Sequence, residues 1–246
     1  MLVSFPMETS ISVFALLGLG FVFGFKHATE VDHVVAVSNI VSEHRSVWRS
    51  ALVGGLWGAG HTAALIIVGL ALLVFRLPLP ASISTGLEFG VALMIIGLGV
   101  LTVARVFRKR SDVHIHRHTH DGQSHVHIHF HEQSTEHRAT SPAPHSHAVT
   151  RVGLKPVLVG AMHGLAGSAG LTLLVLTQID SVGLGLGYLA LFGVGSTLGM
   201  LLMSALIGLP FLFSRRFNRI NAGLQTAAGC LSIAFGLWYA YQISSN

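Results

Sequence analysis

The chain has 246 residues, 51% of them hydrophobic and only 10% charged, with a mean hydropathy of +0.66. Soluble domains are about one-quarter charged, so the bulk of this chain is expected to be solvated by lipid. The balance is basic, 15 Lys+Arg against 10 Asp+Glu, but the basic residues sit between apolar runs and form no stripe or recognisable module, which argues against a nucleic-acid partner.

Residues 1–10 lack the positive region of a signal peptide, and no A-x-A site follows Ile11–Phe25, so the first apolar segment is expected to be retained. Crossing the hydrocarbon core takes about 20 mostly apolar residues. Six stretches qualify: Ile11–Val41, Ser50–Phe75, Ser82–Phe107, Val152–Gln178, Val182–Phe213 and Ile220–Ile243. The expected fold is an all-α polytopic membrane protein. It divides into a three-span half (1–107), a His-rich loop (108–150) and a second three-span half (151–246). The lone cysteine, Cys230, lies in the last apolar run and has no partner in the chain for a disulfide.

The first stretch is too long for one straight helix. Its middle, Lys26-His27-Ala28-Thr29-Glu30-Val31-Asp32-His33, packs five ionisable side chains into eight residues. A broken helix fits, because irregular backbone is tolerated at membrane depth where it lines a cavity. An ionisable group at that depth marks a functional site by default, and imidazole with carboxylate suits nickel, cobalt or zinc. On an ideal helix Lys26, Glu30 and His33 share one side, with His27 at its edge, while Asp32 points away. Either the backbone leaves the helix here or some of these groups are not ligands. Lys26 and Glu30 are also spaced to neutralise each other. The blander reading is a loop joining two short helices, but its apolar flanks then fall short of the roughly 17 residues a span needs.

Arg45 and Arg49 follow the first span, Arg105, Arg108, Lys109 and Arg110 the third, and Arg215, Arg216 and Arg219 the fifth. The even connections and both tails carry at most Arg76, so the odd connections are expected in the cytoplasm and both termini outside, in the plasma (inner) membrane. Gly54/Gly58, Gly160/Gly164 and Gly195/Gly199 are small-xxx-small pairs that let backbones approach closely. Leu52-Val53-Gly54 with Gly58 matches Leu158-Val159-Gly160 with Gly164 in segments expected to run in the same direction, either as a true repeat or through shared Gly/Ala composition.

His61 and His163 each lie about half a span from the cytoplasm. Singly, each reads equally well as a neutral histidine bonded across helices. With His27 and His33 they make four intramembrane histidines, for which one shared polar site is the simpler account. Glu88 is expected to be interfacial rather than a ligand. Asn39, Ser196, Thr197, Asn221 and Gln225 could line a path, but each more often joins helices. The 108–150 loop holds 11 of the 16 histidines, including the alternating runs His114, His116, His118, His120 and His125, His127, His129, His131 around Asp121-Gly122. In an extended chain each run presents four imidazoles on one side. A metal-stabilised hairpin is one expectation. Without metal no packed core is available, and disorder is the other. Capture or buffering of metal is the expected role, against a solvated linker.

The motif His27-Ala28-Thr29-Glu30-Val31-Asp32-His33, followed by Val34 to Asn39, resembles the His-x4-Asp-His hallmark of the nickel/cobalt transporter family. Gly60-His61-Thr62 is similar to that family's second motif. Lys26, Glu30 and Ser38 stand where the family usually has Arg, Asp and Asp. Residues 160–170 replace its later acidic signature and look like the six-span, urease-accessory-like nickel permease branch. The resemblance implies that His27, Asp32 and His33 form the selectivity site, with His61 cooperating, and that Ni²⁺ or Co²⁺ is substrate rather than a permanently bound cofactor. It also implies cytoplasmic nickel-enzyme maturation proteins as partners. Metal-efflux relatives carry a similar loop, so efflux is an alternative direction. Affinity is expected to fall as imidazoles protonate below their usual pKa near about 6.5. No Walker-type motif is present, so any ATP dependence would need another subunit. Two other classes compete with a transporter. One is a histidine-box membrane metalloenzyme, for which the intramembrane set lacks a repeated HxxHH-like box. The other is a membrane-anchored metallochaperone whose function lies in the loop.

Overall fold

A computed structural model describes residues 9–44, 46–75, 80–110, 113–120, 123–130, 154–166 and 181–245. Among the described residues seven helices follow in order: α1 (Thr9–His27), α2 (Val31–Val41), α3 (Val47–Phe75), α4 (Ala81–Arg110), α5 (Leu154–Ala166), α6 (Val182–Ser214) and α7 (Asn218–Ser245). Between α4 and α5 lies a hairpin, β1 (Val113–His120) and β2 (Gln123–Phe130). Among the described residues four helices (α3, α4, α6 and α7) are long and apolar enough to cross a membrane, or up to five spans if the bent pair α1 and α2 counts as one. This is the architecture of an integral membrane protein. The expected fourth span, Val152–Gln178, is represented by the 13 residues of α5, and residues 152–153 and 167–178 of it lie outside the described residues.

The long first stretch is two helices meeting at 54°. α1 closes through tight turns, Thr29 N–H to Lys26 O (2.9 Å) and Glu30 N–H to His27 O (3.0 Å), with the Thr29 hydroxyl also donating to Lys26 O at 2.6 Å. Glu30 is extended (φ −65°, ψ 149°) and starts α2 without using its side chain as a cap. Asp32 then falls in the first turn of α2, where the exposed amide ends favour a negative charge.

Glycine sets the helix spacing. Gly54 of α3 lies against Met200 and Ser204 of α6, Gly58 against Thr197, and Gly193 against Thr62, so α3 and α6 run antiparallel. Gly99 of α4 meets Gly229 of α7, and Gly236 meets Ala92, another antiparallel pair. In contrast, Gly20 and Gly24 of α1 lie against Tyr188 and Phe192 of α6, while Gly195 and Gly199 lie against Phe21 and Phe25, so that pair is parallel. α3 and α5 repeat the arrangement: Gly160 lies on Trp57, Gly164 on His61 and Gly60 on Val157. The two segments expected to share a direction therefore do so, packed side by side. The contacts, however, match α5 with α1 rather than with α3. Exchanging α1 with α5, α3 with α6 and α4 with α7 maps these contacts onto one another: Gly58–Thr197 corresponds to Gly193–Thr62, and Thr62–Thr197 and Gly99–Gly229 are the places where corresponding residues touch.

Polar side chains join α2 to the bundle. Asn39 donates to Ser232 and, at 3.0 Å, to Val35 O, and Gln225 donates to Ser42 O at 3.1 Å. Thr62 reaches Gly193 O and Thr197, each at 3.1 Å, and Ser214 reaches Asn221 at 3.3 Å. Asn39, Thr197, Asn221 and Gln225 are thus interhelical or end-of-helix bonds. Glu88 bonds Ser84 one turn away, apart from the histidines. In the hairpin the antiparallel register sets His114 opposite His129, His116 opposite His127 and His118 opposite His125, with His120 opposite Gln123. His131 lies outside the described residues.

A methyl group on Gly160 would meet the Trp57 backbone, whereas one on Gly86 meets nothing within 4 Å. Gly160→Ala is expected to destabilise the protein by about 1–3 kcal/mol, and Gly86→Ala to stabilise it by about 0.5–1 kcal/mol. Thermal unfolding in detergent, followed by helical circular dichroism, checks both signs.

Candidate metal centre

Four histidines from four helices meet where α1 breaks. His27 ends α1, His33 is in the first turns of α2, His61 is at the middle of α3 and His163 is near the end of α5. All four are buried, with His61 and His163 at 0% exposure. Ring centroids are 4.4 Å apart for His27–His33, 4.0 Å for His33–His163, 5.2 Å for His27–His61 and 5.5 Å for His33–His61. The close approach of α5 to α3, made by Gly160 and Gly164, is what brings His163 in.

The break also explains Asp32. On a continuous helix it points away from His33 and His27; here the turn at Ala28–Glu30 swings α2 so that its first turn faces the bundle. Asp32 Oδ1 accepts from His33 N–H (2.8 Å) and His33 Nδ1 (2.9 Å), and Oδ2 accepts from His163 Nε2 (2.9 Å). Its side chain is 15% exposed. Glu30 reaches His27 Nδ1 at 2.9 Å rather than pairing with Lys26, and its side chain stays 48% exposed. Of the intramembrane residues expected at a site, His27, Asp32, His33, His61 and His163 are thus brought together, and Glu30 touches the group from its exposed edge. Seven of the eight loop histidines expected to bind metal, His114, His116, His118, His120, His125, His127 and His129, belong to the separate hairpin element.

These contacts fix tautomers. A carboxylate can only accept, so His27 and His33 carry the proton on Nδ1 and offer the Nε2 lone pair, while His163 carries it on Nε2 and offers Nδ1. Among the described residues those three nitrogens, and both nitrogens of His61, are buried without a hydrogen-bond partner. Leaving a buried polar atom unmet costs about 1–3 kcal/mol; a neutral imidazole keeps one lone pair, so the four rings bring four unmet lone pairs into one cluster, a donor set that suits a divalent transition metal. Ligand atoms of His27, His33 and His61 lie within 4.8 Å of one another, as do those of Asp32, His33 and His163. Nitrogens sharing an ion at about 2.1 Å are at most about 4.2 Å apart, so small side-chain adjustments close the first set. Carboxylates behind metal-ligating imidazoles orient the ring and raise its basicity, which is the position Glu30 and Asp32 hold here.

One neighbour escaped the sequence reading. Trp57, 0% exposed, stacks on His33 with ring planes 13° apart. The available signal was its spacing: it lies one helical turn before His61, on the same face of α3.

Fold and cluster together define a polytopic membrane protein with a buried imidazole–carboxylate site. Over 233 residues the chain is 36% identical to the urease accessory protein UreH of Bacillus sp. (strain TB-90), an alignment covering 95% of this chain and 93% of that protein. It is 28% identical over 228 residues to the Chloroplast protein FOR GROWTH AND FERTILITY 1 of Arabidopsis thaliana, covering 89% of this chain and 56% of the plant protein. No family model matches, and no solved structure matches. The chain belongs to the family of the bacterial urease accessory protein UreH.

Because Glu30 is half exposed and touches only His27 of the cluster, Glu30→Gln is expected to keep the fold and lower the cluster's affinity for a divalent metal about 10–100-fold. Chelator-competition titration of the purified protein, with melting temperature as the control, reads both effects.

Proposed function

We propose that the protein carries a divalent transition-metal ion, Ni²⁺ foremost and Co²⁺ as the alternative, across the membrane through the cluster of His27, His33, His61 and His163. The observation that carries this reading is the set of buried, unpartnered imidazole nitrogens converging at a helix break. The name of the bacterial relative, a urease accessory protein, agrees with nickel as cargo, as does the resemblance of the His27–His33 motif to nickel/cobalt transporters. In this reading the ion is held by neutral imidazoles. Asp32 sits behind His33 and His163, and Glu30 behind His27, supplying negative charge close to the ion without each having to bind it.

The architecture fits carriage. α1 and α2 act as one broken span, and 152–178 as its counterpart, which gives six spans in two halves (1–107 and 151–246) of opposite orientation. The exchange of α1–α6 contacts with α3–α5 contacts supports such an inverted pair, and transporters built this way hold substrate at the repeat interface near mid-membrane. The directions of the helix pairs fit alternating spans, and the Lys and Arg placement supports cytoplasmic odd connections with both termini outside. The partners of this activity are the ion, the lipid bilayer and cytoplasmic nickel-enzyme maturation proteins.

The hairpin register, which sets three histidine pairs opposite one another, favours a second role beside the first. This segment would capture metal at the cytoplasmic mouth through His114, His116, His118, His120, His125, His127, His129 and His131. If the loop were the whole function and the helices an anchor, removing 112–148 would abolish activity. The transporter reading expects the deletion to retain flux.

In proteoliposomes loaded with a metal-sensitive dye, Ni²⁺ flux is expected to drop at least tenfold in His27→Ala and in Asp32→Asn at equal protein level. Wild-type vesicles that pass no Ni²⁺, Co²⁺ or Zn²⁺, while the protein still binds metal through the loop, would reverse the reading in favour of an anchored chaperone.

A further inference from the structure

Trp57 is the largest fully buried side chain among the described residues. Its ring stacks on His33 with centroids 6.0 Å apart and lies 5.7 Å from the His163 ring. Gly160 brings α5 directly onto its backbone and ring edge, which leaves the indole one orientation. Among the described residues its Nε1–H has no acceptor. A buried indole N–H usually finds one.

Beside the ring, between α2, α3 and α6, is a small cavity with room for about one water molecule. Trp57 and His33 line it, and the remaining walls are apolar side chains and the thioethers of Met200 and Met203. Thioether sulfur is a weak acceptor, so the walls offer the indole N–H little. His33 contributes a second unmet nitrogen, Nε2, the one that Asp32 leaves free by holding Nδ1. Both unmet nitrogens belong to residues that line this one cavity.

We propose that Trp57 is a positioning residue for a partly hydrated metal ion: its Nε1–H donates to the oxygen of a water molecule bound to the ion that His33 Nε2 holds. The inference rests on the cluster being a metal site, as proposed above. With the ion present, one lone pair of the water oxygen faces the metal and the other faces the indole. Without the ion, the same water accepts from Trp57 and donates to His33 Nε2, so both nitrogens are satisfied in either state. The consequence is a site that keeps one water on its cargo. Such a site favours ions that hold oxygen and nitrogen ligands at higher coordination number over Zn²⁺, which settles readily for four.

The test uses the full-length protein and Co²⁺ as the probe. The signal of a His27→Ala/His33→Ala/His61→Ala variant is subtracted to remove metal on the hairpin. In oxygen-17 water, Co²⁺ in the wild-type cluster is expected to show hyperfine coupling to one water oxygen alongside imidazole nitrogens. Trp57→Phe keeps the ring and removes the N–H. It is expected to weaken Co²⁺ binding about tenfold, weaken Zn²⁺ binding less, and lose or alter the oxygen coupling while nitrogen couplings persist. Wild-type protein that binds Co²⁺ with no oxygen coupling overturns the inference, whether or not Trp57→Phe folds. So does a Trp57→Phe protein with unchanged affinity and coupling. A wild type indistinguishable from the triple-alanine variant would instead overturn the metal site itself.

Discussion

The bridging of His33 and His163 by the carboxylate of Asp32 is the constraint on which the rest of the structure depends. A carboxylate at membrane depth is costly unless it is paired and hydrogen-bonded. Here it accepts from one backbone amide and two imidazoles. Meeting those partners requires three things at once: a break that turns α2 inward, an α2 amino end that favours negative charge, and an α5 close enough to deliver His163. Each is met by local sequence, through the Ala28–Glu30 turn, the placement of Asp32 in the first turn of α2, and Gly160 and Gly164.

Packing in lipid has no hydrophobic drive between helices, so contact depends on small residues and polar bonds. The glycines of this chain provide the close contacts, and they do so in a pattern that repeats. α1 against α6 and α3 against α5 are parallel pairs with the same alternation of which helix supplies the glycine. The antiparallel pair α3–α6 joins them. The histidine cluster sits beside that contact, with His61 next to Thr62 and the His27 ring 5.6 Å from Phe192. Asn39 and Gln225 tie the short α2 to α7, and Asp32 ties it to α5.

Much of this was legible in the chain. The helices α3, α4, α6 and α7 begin and end within a few residues of the stretches Ser50–Phe75, Ser82–Phe107, Val182–Phe213 and Ile220–Ile243, because span length and apolarity are set by the bilayer and written in composition. His27, His33, His61 and His163 stood out because an ionisable residue in an apolar run has few explanations. What could not be read was direction. Helical periodicity sends Asp32 away from the site, and only the turn at Ala28–Glu30 brings it back. Lys26–Glu30 spacing pointed to an ion pair, whereas the chain break gives Glu30 to His27. The likeness of the α3 and α5 segments reflects their shared task of close packing, while the contact pattern relates α5 to α1. Trp57 was not singled out, since its lack of a hydrogen-bond partner and its stacking on His33 exist only in three dimensions.

Locating the ion is the most direct test of the central claim. Full-length protein crystallised with Ni²⁺ and measured by anomalous diffraction at the nickel edge should show a peak among His27 Nε2, His33 Nε2 and His61, at about 2.0–2.1 Å from the imidazole nitrogens. Asp32 should still lie behind His33 and His163. Anomalous signal confined to the hairpin, with the four buried imidazoles unmoved and without metal, would contradict the account.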